Sequence, residues 1–235
     1  FSLKGKKWQA CDDPTPTYTP GAIKGVRDIN GDGFDDILIG APSAGQGSGV
    51  AYVVFGKSGA FSSQFSLTGL DGANGFQLVG ALSGDAAGRA VGRAGDVNGD
   101  GIDDLIVGAH QDDTSGTSSG AVFVLFGTRT GFAASISLSS LSGSSGFKLA
   151  GVASGDFAGR AVSGAGDVNG DGFADLMAGA NGADGSASNT GAAYIVFGGD
   201  FTGMAGTMGT PGDDLLSAAP GASVFHAGAG NDRIA

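Results

Sequence analysis

The chain contains no glutamate; all 23 of its acidic residues are aspartate. Glutamate favours helix interiors, whereas aspartate serves turns, caps and oxygen ligation, so this bias argues against a helical fold. A single cysteine, Cys11, excludes an internal disulfide and reads as a buried or idle thiol. Lysine and arginine total 12, leaving a formal net charge of −11. Such a chain offers no basic face for phosphate, and nucleic acid is not an expected partner. His110 and His226 are the only histidines, and neither sits in a catalytic motif. His110 follows a Gly-Ala pair whose repeat equivalents precede Pro42 and Asn181, so it is expected at a surface turn. Arg89 and Arg160 recur in "GRAV" and read as packing or loop-charge residues. With so few acid–base groups, intrinsic catalysis is not expected. Apolar runs such as "AVFVLF" at 121–126 fall far short of a membrane span. No signal peptide is visible at "FSLKGKKW", as for a chain with a removed leader, a C-terminal export signal or an excised fragment.

What the chain has in abundance is glycine, 48 residues, and internal repetition. "FSLTGLDGANGFQLVGALSGDAAGRAVGRAGDVNGDGIDDLIVGAH" from Phe65 returns as "ISLSSLSGSSGFKLAGVASGDFAGRAVSGAGDVNGDGFADLMAGAN" from Ile136, 71 residues later. "YVVFG", "FVLFG" and "YIVFG" end at Gly56, Gly127 and Gly198 with the same spacing. "FSLKG" at 1–5 opens an abbreviated first copy, in which "CDDPTPTYTP" replaces the "GD.AGRAV" stretch. The chain therefore divides into units 1–64, 65–135 and 136–205, followed by a distinct segment 206–235. Within unit 65–135, "FQLVG", "RAVGRAG", "DLIVGA" and "AVFVLFG" are short apolar stretches between Gly-, Ser- and Asp-rich turns. No window sustains a helical period. The expected fold is all-β, with propeller-type blades of four antiparallel strands.

Eleven of the aspartates fall in three loops, "DINGDGFDD" (28–36), "DVNGDGIDD" (96–104) and "DVNGDGFAD" (167–175). Each reads D-x-N-x-D-G-x-x-D, with oxygen donors at positions 1, 3, 5 and 9, a glycine for the sharp turn at position 6, and a backbone carbonyl at position 7. The candidate ligands are Asp28, Asn30, Asp32, the Phe34 carbonyl and Asp36; Asp96, Asn98, Asp100, the Ile102 carbonyl and Asp104; and Asp167, Asn169, Asp171, the Phe173 carbonyl and Asp175. Hard oxygen donors in a flexible loop suit Ca²⁺ better than Mg²⁺. Three calcium ions are expected, at an affinity of about 10⁻⁴–10⁻³ M. An EF-hand is excluded because position 12 is Ile39, Val107 or Ala178, not glutamate, and an apolar β-like stretch follows. A plain Asx-rich turn could account for one copy, but not readily for three that keep every ligand position while position 8 varies as Asp35, Asp103 and Ala174.

"FAGRAVSGAGDVNGDGFADLMAGAN" and, above all, "DINGDGFDDILIGAP" at 28–42 resemble the FG-GAP repeats of integrin α-subunit propellers and their bacterial relatives. The resemblance covers about residues 1–200 and implies that each loop joins two strands of a blade and binds calcium on one face of the propeller. It departs at "GAH" (108–110), "GAN" (179–181) and "AG" (87–88, 158–159).

The segment 206–235 changes to a nine-residue beat, with "GDDLL" from Gly212, "GASVF" from Gly221 and "GNDRI" from Gly230. It resembles the hemolysin-type (RTX) nonapeptide, which forms a parallel β-roll. Asp214 and Asp232 take its ligand position, allowing further calcium, Leu216, Phe225 and Ile234 take its apolar position, and Ser223 spoils the middle rung. That resemblance implies a bacterial protein exported without a cleaved leader and running past Ala235.

Together these readings lead to a non-catalytic, calcium-binding, secreted or cell-surface module for adhesion or for surface or filament assembly. The alternative is an accessory domain that positions substrate for a larger secreted hydrolase or toxin. Expected partners are an extracellular protein or glycan, met by loops such as 110–120 and 181–190, or copies of the chain itself. Three blades are fewer than the four to eight that close a ring, so either further blades or a homo-oligomer is expected to complete the assembly.

Overall fold

Alternating apolar stretches bounded by glycine-rich turns become antiparallel sheets in the computed structural model, which describes residues 21–62, 65–184 and 190–200 together with four two-residue strands further on. The first sheet runs β1 (Ala22–Val26), β2 (Asp36–Ala41), β3 (Val50–Val54) and β4 (Gly75–Val79), each antiparallel to the last. The second runs β5 (Ala90–Gly95), β6 (Asp104–Ala109), β7 (Ala121–Leu125) and β9 (Gly146–Ala150). The third shows β10 (Ala158–Gly166), β11 (Asp175–Ala180) and β12 (Ala192–Val196). The fold is all-β, and its sheets are antiparallel and blade-like.

The sheets are out of phase with the repeats as delimited in sequence. β4 lies in unit 65–135 yet pairs with β3 of the first sheet, and β9 lies in unit 136–205 yet pairs with β7 of the second. The first and second sheets thus each take their outer strand from the following unit. Between β7 and β9 the chain also returns to the first sheet, where β8 (Ser135–Ser137) pairs parallel with β4. Phe132 anchors this strap by stacking on Phe76 at 4.4 Å between ring centroids.

The core lies between sheets. Leu38, Val53, Phe76 and Leu78 of the first sheet pack against Val91, Leu105, Val107 and Phe123 of the second. Ile106, Val122, Val124 and Leu149 of the second pack against Leu176, Ala178 and Val196 of the third. The middle sheet is therefore apolar on both faces, and β6 and β7 are buried throughout. Glycine permits the closest approach. A Cβ on Gly40 or Gly108 would collide with the carbonyl oxygen of Gly88 or Gly159 in the next sheet.

Beyond residue 200, β13 (Thr207–Met208) runs parallel to β15 (Phe225–His226), and β14 (Leu215–Leu216) to β16 (Arg233–Ile234). Thr207 faces Phe225 and Leu215 faces Arg233, so both pairs are eighteen residues apart. Cys11, Asp214, Asp232 and the first-unit stretch 1–20 lie outside the described residues. Among the described residues, no helix is long and apolar enough to cross a membrane.

Candidate metal centres

The three aspartate loops occupy the same place in their sheets, joining β1 to β2, β5 to β6 and β10 to β11. Each is wound around the aspartate at position 1. Asp28 Oδ1 accepts hydrogen bonds from the backbone N–H of Gly31 and Asp32, and Oδ2 from that of Gly33. Asp96 receives Gly99, Asp100 and Gly101 in the same way, and Asp167 receives Gly170, Asp171 and Gly172. This winding requires left-handed backbone at Gly31 and Gly33, with φ of 76° and 90°, which explains the two glycines of the motif.

Positions 3 and 5 are tied to one another. Asn30 Nδ2 donates to Asp32 Oδ2 at 2.9 Å, while Asp32 N–H donates to Asn30 Oδ1 and Asp32 Oδ1 accepts from Phe34 N–H. Asn98 and Asp100 repeat the first link at 3.1 Å, and Asn169 and Asp171 at 2.7 Å. At position 7, Phe34 is exposed, Ile102 is buried, and Phe173 leans over Gly99 of the preceding loop.

Position 9 is different. Asp36, Asp104 and Asp175 are buried at the head of the second strand. Asp36 accepts from the N–H of Ile29 on one oxygen and from that of Gly56 on the other. Asp104 does the same with Val97 and Gly127, and Asp175 with Val168 and Gly198. Each thereby latches its loop to the end of the third strand. Burial pushes the Asp36 carboxyl up to about 6 and that of Asp104 to about 7, against the pull of those N–H groups. The charges of Asp32 and Asp28, and of Asp100 and Asp96, push in the same upward direction.

In sequence, Gly56, Gly127 and Gly198 stand out only as repeat markers. Their N–H completes the latch, and an added Cβ would collide with the position-8 carbonyl of Asp35, Asp103 or Ala174. Their recurrence at a fixed distance from the loop was the available signal. Position 8 itself faces elsewhere, since Asp103 pairs with Arg93 at 2.7 Å.

Among the described residues, no three Asp, His or Cys side chains converge in ready-made metal-binding geometry. The donor set nevertheless fits a hard cation. A carboxylate oxygen that accepts one N–H keeps a second lone pair, and each loop gathers oxygen donors alone. Neighbouring loops also touch. Asp96 O accepts from Ala174 N–H of the third loop, and Ile29 O of the first loop accepts from Thr128 N–H just after β7 of the second sheet.

His110 departs from expectation. It is buried, not at the surface, with its ring 6.4 Å from that of Phe157 and no partner for Nδ1. The turn that was expected to expose it is instead roofed by the loop entering the third sheet. In the adjoining loop 110–120, Asp112 is buried and paired with Lys148 at 2.7 Å. The counterpart loop lies partly outside the described residues. Arg89 and Arg160 are exposed.

Residues 25–54, 87–125 and 158–196 match the FG-GAP repeat. The chain is 38% identical to integrin alpha-2 of Bos taurus over 90 residues, which is 37% of this chain and 7% of that protein. It is 28% identical to integrin alpha-4 of Xenopus laevis over 164 residues and 31% identical to integrin alpha-PS5 of Drosophila melanogaster over 163. Each of those two matches covers 68% of this chain and 14% of the relative. The chain thus spans only a small part of the length of these relatives.

Proposed function

From a chain that carries three FG-GAP repeats, we propose a non-catalytic, calcium-stabilised adhesion-type module that works outside the cell or at its surface. The observation that carries this reading is the loop repeated three times. One hydrogen-bond scaffold holds an all-oxygen donor set at the same end of three packed sheets. Asp28, Asn30, Asp32 and Asp36 with the Phe34 carbonyl would hold one ion. Asp96, Asn98, Asp100, Asp104 and the Ile102 carbonyl would hold a second, and Asp167, Asn169, Asp171, Asp175 and the Phe173 carbonyl a third. The ion supplies positive charge where carboxylates crowd, and its binding would stabilise the folded chain.

The integrin relatives favour adhesion over catalysis, and so does the chemistry of a cleft beside the loops. That cleft, about 540 Å³, is bordered by Arg27, Arg93, Asp103 and Ser163. Ser163 Oγ donates to the Gly164 carbonyl instead of facing a base. Partners in this reading are an extracellular protein or glycan, or further copies of the chain. The eighteen-residue offset of the parallel pairs equals two nine-residue rungs, as one coil of a β-roll requires, and this supports an RTX-like tail that would take further calcium at Asp214 and Asp232.

Isothermal titration and native mass spectrometry of calcium test the proposal. Three ions in the loops, with any further ions lost on Asp214→Asn and Asp232→Asn, are expected. No calcium uptake at millimolar concentration would refute it.

A further inference from the structure

Every described sheet presents two faces, and equivalent positions can be followed from one sheet to the next. On the face toward the following sheet, Ile106 of β6 and Val124 of β7 are 0% exposed because the third sheet covers them. Their first-sheet equivalents, Leu38 and Val53, are likewise 0% exposed beneath the second sheet. The third-sheet equivalents, Met177 and Ile195, are 44% and 52% exposed. On the opposite face, Val91 and Leu105 of the second sheet are 2% and 1% exposed against the first. Their first-sheet equivalents, Ile23 and Ile37, are 49% and 38% exposed.

Among the described residues, the third sheet therefore leaves open the kind of face that packs on a following sheet, and the first sheet leaves open the kind of face that receives it. Gly179 of β11 retains the glycine that, at Gly40 and Gly108, leaves room for the next sheet's backbone. Among the described residues, only Ala161 of its own sheet lies within 4 Å of a Cβ placed there. The first-unit strap agrees. Phe61, Phe65 and Leu67 stand 71 residues before Phe132, Ile136 and Leu138, which pack on the preceding sheet, yet all three remain half-exposed. Within this sequence the residues after 200 leave the 71-residue pattern, so no fourth such unit follows the third sheet before Ala235.

We propose that the Met177/Ile195 face of one copy docks on the Ile23/Ile37 face of a second copy, continuing the sheet-on-sheet stack head to tail. The contact is heterologous, so it propagates unless the rotation closes a ring. The inference deepens the self-assembly reading above, but it rests on sheet packing and not on the ion.

Sedimentation velocity of the 235-residue chain in calcium, from about 1 to 100 µM, tests it alongside Ile23→Lys and Ile195→Lys. Wild type is expected to grow in mass with concentration. Each variant alone is expected to stay monomeric, with an unchanged circular-dichroism spectrum. An equimolar mixture of the two is expected to form a dimer and nothing larger, because I23K keeps only the Met177/Ile195 face, I195K keeps only the Ile23/Ile37 face, and their pairing uses both. A wild type that stays monomeric, a single variant that assembles as wild type does, or a mixture that fails to dimerise would each overturn the proposal. Calcium stoichiometry measured on the same samples separates the two readings. Monomers that bind three ions sink the stacking alone.

Discussion

Asp104 has both carboxylate oxygens committed to backbone, Val97 N–H on one and Gly127 N–H on the other. The motif therefore divides its labour. Position 1 winds the loop, positions 3 and 5 brace it, and position 9 fastens it to a strand 23 residues away. Position 9 and position 1 are both aspartate, so nothing in the local pattern distinguishes the latch from the winder. Only the long-range partner does. Gly127→Ala should consequently cost about 1–3 kcal/mol, because the new methyl meets the Asp103 carbonyl and pushes the latch apart. Gly25→Ala, with nothing within 4 Å of the added carbon, should stay within about 0.5 kcal/mol. Urea midpoints of the two variants make the comparison. His110 supplies a second residue-level prediction. Burial, then the charges of Arg160 and Arg89, lower its pKa below 6.5, so the folded chain keeps it neutral. Stability from that group is full above the unfolded value and is lost as pH falls through the folded one. Wild type should lose stability relative to His110→Asn when the urea midpoint is remeasured at pH 5.5 instead of 7.5.

At the scale of the loop and strand, the same bookkeeping runs with the opposite sign. The folded-state values of Asp36 and Asp104, about 6 and 7, lie above their unfolded value of 3.8. Their contribution is full below 3.8 and is lost as pH rises through 6 to 7, because the ionised form is buried beside other carboxylates. A bound cation reverses this by favouring the ionised form. The gain in melting temperature from millimolar calcium over chelator should therefore increase between pH 5 and pH 8. A constant gain would mean that these carboxylates do not face the ion. The loops and most strands were legible in sequence, since short apolar stretches between turn residues and a fixed Asp-Gly spacing are local signals. The phase of the repeat was not. A cyclic pattern gives its period but not where one sheet ends, and the pairing of "FQLV" with β3 is decided by contacts outside its own unit. The strap was equally hidden, because Phe132 looks like any loop aromatic until Phe76 lies beneath it. Phe132→Ala should cost about 3–5 kcal/mol and raise amide exchange at Gln77, whose N–H donates to the Ala134 carbonyl.

Across the whole molecule, the cost of an apolar truncation depends on which sheet carries it. Ile106 and Ile195 are both β-branched residues on the face toward the next sheet, and sequence alone gives no reason to rank them. In the structure Ile106 is closed between the second and third sheets, whereas among the described residues no sheet covers Ile195. Neighbour contacts carry the stability of stacked repeats, so a middle sheet with two covered faces is the keystone and an end sheet with one is not. Ile106→Ala should cost about 2–5 kcal/mol, and Ile195→Ala less than about 1 kcal/mol in dilute solution. If the end faces join between copies, the second value must grow with protein concentration while the first does not, because only Ile195 gains a cover on assembly. Thermal unfolding of both variants and wild type over a hundredfold concentration range reads this directly. Equal costs at every concentration would mean that Ile195 is already covered within a single chain.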